Sequence, residues 1–476
     1  MSKSNGGSYI YVKDTMTPVA GVPATMSANA AAGMSATMSA STANAVGLFI
    51  FRRDLRIEDN IGLNNLCKLC KIVYCVFILD DKQISPTKNK YFTYAGMRFM
   101  IQSLIELKSS IPLLVVHGNT LDIIETLIDK LSINILAFNR DYTAYSIKRD
   151  MAINDLAKKK KIACYNYDDS YINAPETTKP YKVYTPYYNF VSKIPVVKPS
   201  KLESTSVKKI HKAAIKSVKL DKLLDWCNKN LIKNDYELPL VQSGGRKEGL
   251  KLLNDFAKNK CKKYSDLRNY LTFETSRLSP HLKFGTISIR EVYYGCGSST
   301  FRKELYWRDF YMQISFYFPH IFGNNFREIN IAWQNNKLLF KKWCLGETGY
   351  DIVDACMMQL NKIGYMHNRG RMIVANFLTK ILHIDWRWGE KYFANKLVDY
   401  DPCSNNGGWQ WSSGTGADAQ PYYRIFNPEL QGEKFDGDMT YRKRWLADRY
   451  VNGVYTINPI VDYTYERESA AKYLKK

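Results

Sequence analysis

The chain has 476 residues, with 68 Lys+Arg against 45 Asp+Glu for a formal charge of +23, and 45% hydrophobic residues including 13% aromatics. That apolar content excludes a chain disordered throughout, the length predicts two or three domains, and no apolar run reaches the roughly 18 residues that span a bilayer. The charge favours a polyanionic partner, nucleic acid first and an anionic membrane surface second, over a merely solvated basic surface.

Residues 1–45 include MTPVAGVPATMSANAAAGMSATMSASTANA, rich in Ala, Ser, Thr, Met and Gly and without aromatics or apolar period. Such a segment cannot bury enough surface to offset its ordering, so a disordered tail is expected. It lacks both the apolar core of a secretory signal and any Arg, which argues against export and organellar import.

Short β-branched and aromatic runs follow at 47–51, 72–79, 112–118 and 134–138, separated by helical stretches such as YAGMRFMIQSLIELKSS and TLDIIETLIDKLS. This alternation predicts an α/β domain over residues 46–175, a doubly wound parallel sheet covered on both faces. Cys67, Cys70 and Cys75 lie where a helix runs into a strand, and no second Cys or His pair offers a zinc partner. They read as buried structural thiols and not metal ligands. Ten cysteines in this length are no disulfide framework, and a soluble protein of a reduced intracellular compartment is expected, cytoplasm or nucleus unassigned.

Residues 176–240 mix Pro, Tyr and Lys without a period and predict a basic interdomain connector. From 241 to 476 the apolar spacing is helical, as in FRKELYWRDFYMQISFYF and HNRGRMIVANFLTKILHI, and all nine tryptophans lie beyond residue 225. An all-α domain is expected there. Phosphate loops, an early G-x-G-x-x-G, H-E-x-x-H and G-x-S-x-G are all missing, which sets aside ordinary nucleotidases, dehydrogenases, zinc enzymes and serine hydrolases.

What remains is a dense polar and aromatic set. Glu304 and Arg308 are i,i+4 neighbours on a helix, as are Trp307 and Tyr311; alone, an ion pair beside a buried aromatic ridge explains them equally well. Asn368, Arg371 and Met372 fall at a helix start, and Asp399 to Trp411 reads as a loop by its Asp, Asn, Pro and Gly content.

The motifs TSRLSPHLKFGTIS, ELYWRDFY, GYMHNRGRM, IDWRWGEKYF and DYDPCSNNGGWQWSSGTG, in that order, resemble those of the photolyase/cryptochrome flavoproteins, most nearly the class I cyclobutane pyrimidine dimer photolyases. The resemblance runs from FRRDLRIEDN to NPELQGEKFD. It implies a helical domain holding FAD, with Tyr264, Thr275, Ser276, Arg277, Leu278 and Ser279 on its phosphates and ribityl chain. Arg371 and Asp399 would pair beside the ring system, with Arg308, Tyr400 and Asp401 also in contact and Asn405 facing flavin N5. An amide at that position, in place of an acid, speaks for repair over signalling.

The resemblance further implies that Glu304, Trp307, Tyr311, Asn368, Met372 and Trp411 line the substrate cavity together with Arg308, while Arg268 and Gln431 touch DNA backbone. Trp409, Trp386 and Trp333 would be an electron relay. The implied activity is light-driven splitting of cyclobutane pyrimidine dimers by electron transfer from photoexcited reduced FAD, a carbon–carbon lyase reaction with no net redox change. Met372, where members repairing (6-4) photoproducts carry His, argues against that second activity, since a thioether is no acid catalyst. The implied partner is UV-damaged DNA and no membrane, with a monomer expected. An antenna chromophore (folate, deazaflavin or flavin) stays open, because FNRDYTAYSIKRD lacks the Asn-Glu pair of folate binders. The rival reading is a blue-light receptor of the cryptochrome branch, or a single-strand-preferring cryptochrome.

Overall fold

The computed structural model describes residues 45–202, 207–208 and 216–475; the expected tail lies outside them apart from Ala45. The first part alternates β1 (Val46–Phe51), α1 (Ile61–Leu69), β2 (Ile72–Leu79), α2 (Tyr94–Ser110), β3 (Leu113–His117), α3 (Thr120–Leu131), β4 (Ile135–Asn139), α4 (Ala144–Lys159) and β5 (Ala163–Tyr167). All five strands pair in parallel in the order β3-β2-β1-β4-β5, so the chain order reverses beside β1. Side chains alternate across the sheet. Phe49 and Phe51 pack with α1 and α2 on one face, while Leu48 and Ile50 pack with α3 and α4 on the other. β5 has no counterpart in the sequence reading because ACYNY is an edge strand, polar and half-exposed, without an apolar run.

The stretch expected as an aperiodic connector carries two helices, α5 (Tyr184–Val191) and α6 (Leu220–Lys233). Trp226 of α6 packs on Tyr94 of α2 at 5.3 Å. The helical part continues with α7 (Arg246–Asp255), α8 (Ser279–Phe284), α9 (Ile289–Gly295), α10 (Ser299–Tyr317), α11 (Lys337–Leu345), α12 (Asp351–Ile363), α13 (Asn368–Lys380), α14 (Trp386–Lys396), α15 (Pro402–Ser413), α16 (Pro428–Phe435), α17 (Thr440–Leu446) and α18 (Tyr463–Ser469). One hydrophobic cluster runs from Phe49 and Phe99 through to Leu360, Trp343 and Trp386, so the inner face of the sheet and the helical part share a core. Among the described residues no helix is long and apolar enough to cross a membrane.

Two expectations need correction. Asp399 to Trp411 is not a loop, because most of it is α15. Asp401 caps that helix by accepting the Ser404 N–H, and Pro402 sits at its first position, where a missing N–H costs nothing. Gly407 is there for space, since a Cβ would lie 2.1 Å from the Tyr311 ring. Nor are all cysteines thiols. Cys261 and Cys296 form a disulfide, brought together across 35 residues by a cluster that includes Phe256, Tyr264 and Phe301. No spacing in the sequence announces that pair. Cys67, Cys70 and Cys75 are buried and outside that disulfide, as expected.

The sheet joins the helical part through the loop after β1. Arg53 donates to Asp401 at 2.5 Å, to Asp141 at 3.2 Å and to the Lys283 carbonyl at 3.0 Å. Deeper, Arg56 and Arg290 both pair with Asp169 at 2.6 Å, and Arg290 also pairs with Asp59 at 2.8 Å. Buried charges of this kind persist only with their partners in place.

Candidate active site

A cavity of about 520 Å³, within the range that takes a sizeable organic ligand, opens among α8, α10, α13 and α15. Its lining includes Tyr264, Thr275, Ser276, Arg277, Leu278, Ser279, Arg308, Arg371, Asp399, Tyr400, Asp401 and Asn405, and also Arg268, Glu304, Trp307, Tyr311, Asn368, Met372, Trp409 and Trp411. The motifs therefore converge on one space. Gln431, on α16, is not part of that lining, and its buried Oε1 has no partner. Trp333 and Trp386 also lie outside it.

At the deep end Arg371 donates to Asp399 Oδ2 at 2.8 Å, and the Ser279 hydroxyl donates to the same oxygen at 2.6 Å. Asp399 Oδ1 is buried without a partner. The preceding loop is bent at Arg277, which takes a left-handed φ of 52°, and its carbonyl accepts from Gln242 at 2.7 Å. Small hydroxyl residues, backbone N–H groups before α8 and an orphaned carboxylate oxygen beside an arginine form a polar cradle with unmet bonding capacity. These residues fit FAD, whose pyrophosphate needs donors and whose ring edge offers N–H groups to a carboxylate.

Burial alone would raise the Asp401 carboxyl, but Arg53, Arg308 and Lys283 outweigh it and hold the group far below the usual carboxylate range. Lys283, which lines the cavity and donates to the Tyr400 carbonyl, is lowered to about 8 by burial and by Arg53. The sequence reading singled out neither Arg53 nor Lys283, although both lie inside quoted motifs. Arg308 donates to the Ser170 carbonyl at 2.6 Å, so it serves the join between the two parts as well as the cavity.

Toward the mouth the walls are more exposed. Glu304 pairs with Arg268; burial raises the carboxyl and the arginine opposes that rise. Trp307, Tyr311 and Trp411 supply flat surfaces, and the Asn368 amide reaches the Met372 sulfur at 3.9 Å. His367 caps α13 through Nδ1 to the Arg369 N–H, is buried, and does not line the cavity. Asn405 donates Nδ2 to the Glu390 carbonyl at 3.1 Å.

Trp409 reaches the cavity from α15, and a Cβ on Gly389 of α14 would lie 2.1 Å from its ring, so the helices close only over a glycine. Trp386 is fully buried and donates Nε1 to Asn325 at 2.9 Å. Trp333 is half-buried against Ile331 and Tyr422. Trp343, which the sequence reading passed over, meets Trp409 edge-on at 6.1 Å.

Residues 48–203 match a family model described as DNA photolyase, and residues 301–475 match one described as FAD binding domain of DNA photolyase. A curated deoxyribodipyrimidine photo-lyase from Alkalihalophilus pseudofirmus is 33% identical, over 89% of this chain and 97% of its own. Among solved structures, an archaeal photolyase from Sulfolobus tokodaii with two FAD molecules is 39% identical, with a TM-score of 0.79 over 90% of this chain and 99% of its own. A Synechocystis cryptochrome is 25% identical, with a TM-score of 0.80 over 90% and 99%. The matches take in the sheet and the helical part together, and the chain belongs to the DNA photolyase family of FAD-binding proteins.

Proposed function

We propose that this protein repairs UV-damaged DNA, splitting cyclobutane pyrimidine dimers in light, as a deoxyribodipyrimidine photo-lyase. The observation that carries the reading is the juxtaposition, in one cavity, of the Arg371–Asp399 cradle and the Glu304–Trp307–Trp411 mouth. Bound reduced FAD supplies a light-driven electron that is returned at the end of the cycle.

The chain's own residues do the rest. Trp307 and Trp411 offer apolar faces to two stacked pyrimidines flipped out of the duplex, a cheap extrusion because a dimer stacks poorly. Glu304 and Asn368 hydrogen-bond the polar edges of the bases, and Arg308, Tyr311 and Met372 complete the walls. Tyr264, residues 275–279, Arg371, Asp399, Tyr400, Asp401 and Asn405 hold the cofactor. Asn405, whose Nδ2 donates to the Glu390 carbonyl, would offer its amide oxygen to the cofactor as an acceptor. Trp409, Trp386 and Trp333 would pass an electron inward from the surface. Arg268 and Gln431, with the overall charge of +23, would grip phosphates independently of sequence.

One chain supplies every wall, so a monomer suffices, and a DNA substrate puts the protein inside the cell. The Sulfolobus relative with two FAD molecules favours a flavin among the antenna candidates. The test is repair of an oligonucleotide with one defined dimer, flavin reduced, in blue light and in darkness. Light-dependent restoration, lost in Glu304→Ala and Trp307→Ala, is expected; no repair despite bound FAD would move the assignment to a photoreceptor.

A further inference from the structure

A tryptophan that walls a substrate cavity keeps one face free, so its orientation depends on what supports the other. Trp307 has such a support, and it comes from outside the helical part. Tyr184, the first residue of α5, lies on the indole with ring centroids 3.8 Å apart and planes 5° from parallel. The tyrosine is itself fixed. Its hydroxyl donates to the Lys303 carbonyl at 2.8 Å, one turn before Trp307 on α10, and its ring meets the edge of Phe310 at 5.7 Å. Behind it Tyr188 stacks at 5.8 Å, with the Lys303 ammonium 5.4 Å from that second ring. Tyr184 is 8% exposed, so the stack is fully enclosed on its own side.

We infer that Tyr184 is a positioning residue for lesion recognition, holding the Trp307 indole in the orientation that receives a pyrimidine dimer. This rests on the repair reading and deepens it. An indole on a helix has several staggered rotamers, and a parallel ring at contact distance selects one of them before any DNA arrives. Binding then loses little side-chain freedom, which is the benefit of preorganisation. Once a dimer is stacked on the free face, the lesion supplies the missing constraint. Tyr184 therefore acts on affinity for the lesion and not on the photochemical step.

The experiment uses full-length holoprotein and measures Kd for a dimer-containing oligonucleotide, Kd for its undamaged counterpart, and repair per absorbed photon at saturating substrate. Tyr184→Leu and Tyr184→Ala are expected to raise Kd for the dimer about three- to tenfold, the effect of one lost ring stack. Undamaged DNA should bind as before, and repair per photon at saturation should be unchanged. Tyr184→Phe, which keeps the ring and loses the hydroxyl, should restore the affinity. Wild-type dimer affinity in the Leu and Ala variants overturns the inference, as does an equal loss in the Phe variant. A loss of bound FAD or of thermal stability in both Leu and Ala variants that parallels the loss of affinity assigns Tyr184 a purely structural role and also overturns it. If wild-type protein neither prefers nor repairs the dimer, it is the repair reading that fails.

Discussion

Asn405, which lines the cavity, gives its side-chain N–H to the backbone carbonyl of Glu390 at 3.1 Å, which ties its amide to α14. Asn406, the next residue, donates to the Glu390 carboxyl at 2.9 Å, so two successive amides of α15 are bolted to one residue of α14.

Asn405→Asp puts a carboxylate against that carbonyl. With no proton to share, two acceptors face each other in a buried place, at a cost of about 1–3 kcal/mol. The new acid is expected to have a raised folded-state pKa, so the variant loses stability as pH rises above the ordinary aspartate value. Thermal melts should show a deficit against wild type that widens from pH 5 to pH 8.

Arg53 and Asp401 give the opposite sign. Asp401 is held far below the usual range, so its contribution is complete above the unfolded value and is lost progressively as pH falls from there through its strongly acid folded value. Arg53→Met leaves a buried carboxylate without its nearest partner and should cost about 3–5 kcal/mol at pH 7. That deficit should shrink at pH 4.5, where the carboxyl can protonate, and Asp401→Asn in the same background should recover part of it. Equilibrium unfolding of the four proteins of the cycle measures both effects.

Two buried histidines set a pH dependence of their own. Burial lowers His281 to about 3, and burial with Arg369 and Arg371 lowers His367 to about 4. Both are protonated in the unfolded chain below about 6.5 and stay neutral in the fold, so they have no effect above that pH and weaken the native state progressively as pH falls from there to their folded values. Between pH 6 and 5, His281→Gln should reduce the slope of unfolding free energy against pH by about 1.4 kcal/mol per unit, one proton's worth.

The Cys261–Cys296 disulfide closes a segment that includes Tyr264, Arg268 and the loop 275–279. A link across 35 residues contributes on the order of 3–4 kcal/mol on the chain-entropy account. Reduction with a thiol, or Cys261→Ser with Cys296→Ser, should lower the melting temperature and release FAD at lower denaturant. The doubly substituted protein should no longer respond to the thiol.

Much of this architecture is written locally in the sequence. β2 is the run IVYCVFIL itself, and α2 is the stretch YAGMRFMIQSLIELKSS, because period and residue type declare such elements without help from the rest of the chain. β5 is silent for the same reason, since an edge strand needs no apolar run. α15 was misleading because Asn and Gly favour turns in isolation, and only the packing of Gly407 on Tyr311 shows why they stand in a helix. The cavity walls were legible through their motifs, but their supports were not. Arg53 meets a residue 348 positions away, Lys283 one 117 away, and Tyr184 sits in a stretch that gave no periodic signal.

The bond between Arg53 and Asp401 also orders events in time. During synthesis all five strands of the parallel sheet have emerged soon after Tyr167, while the helices that share the core on its inner face are still to be made. The carboxylate that Arg53 awaits is the cap of α15, 348 residues later. The cofactor cradle therefore cannot close on a partial product. Nascent chains interrupted before residue 399 would keep Arg53 paired with Asp141 alone and would lack Asp399, Asp401 and Asn405, so the polar cradle is complete only after those residues have been made.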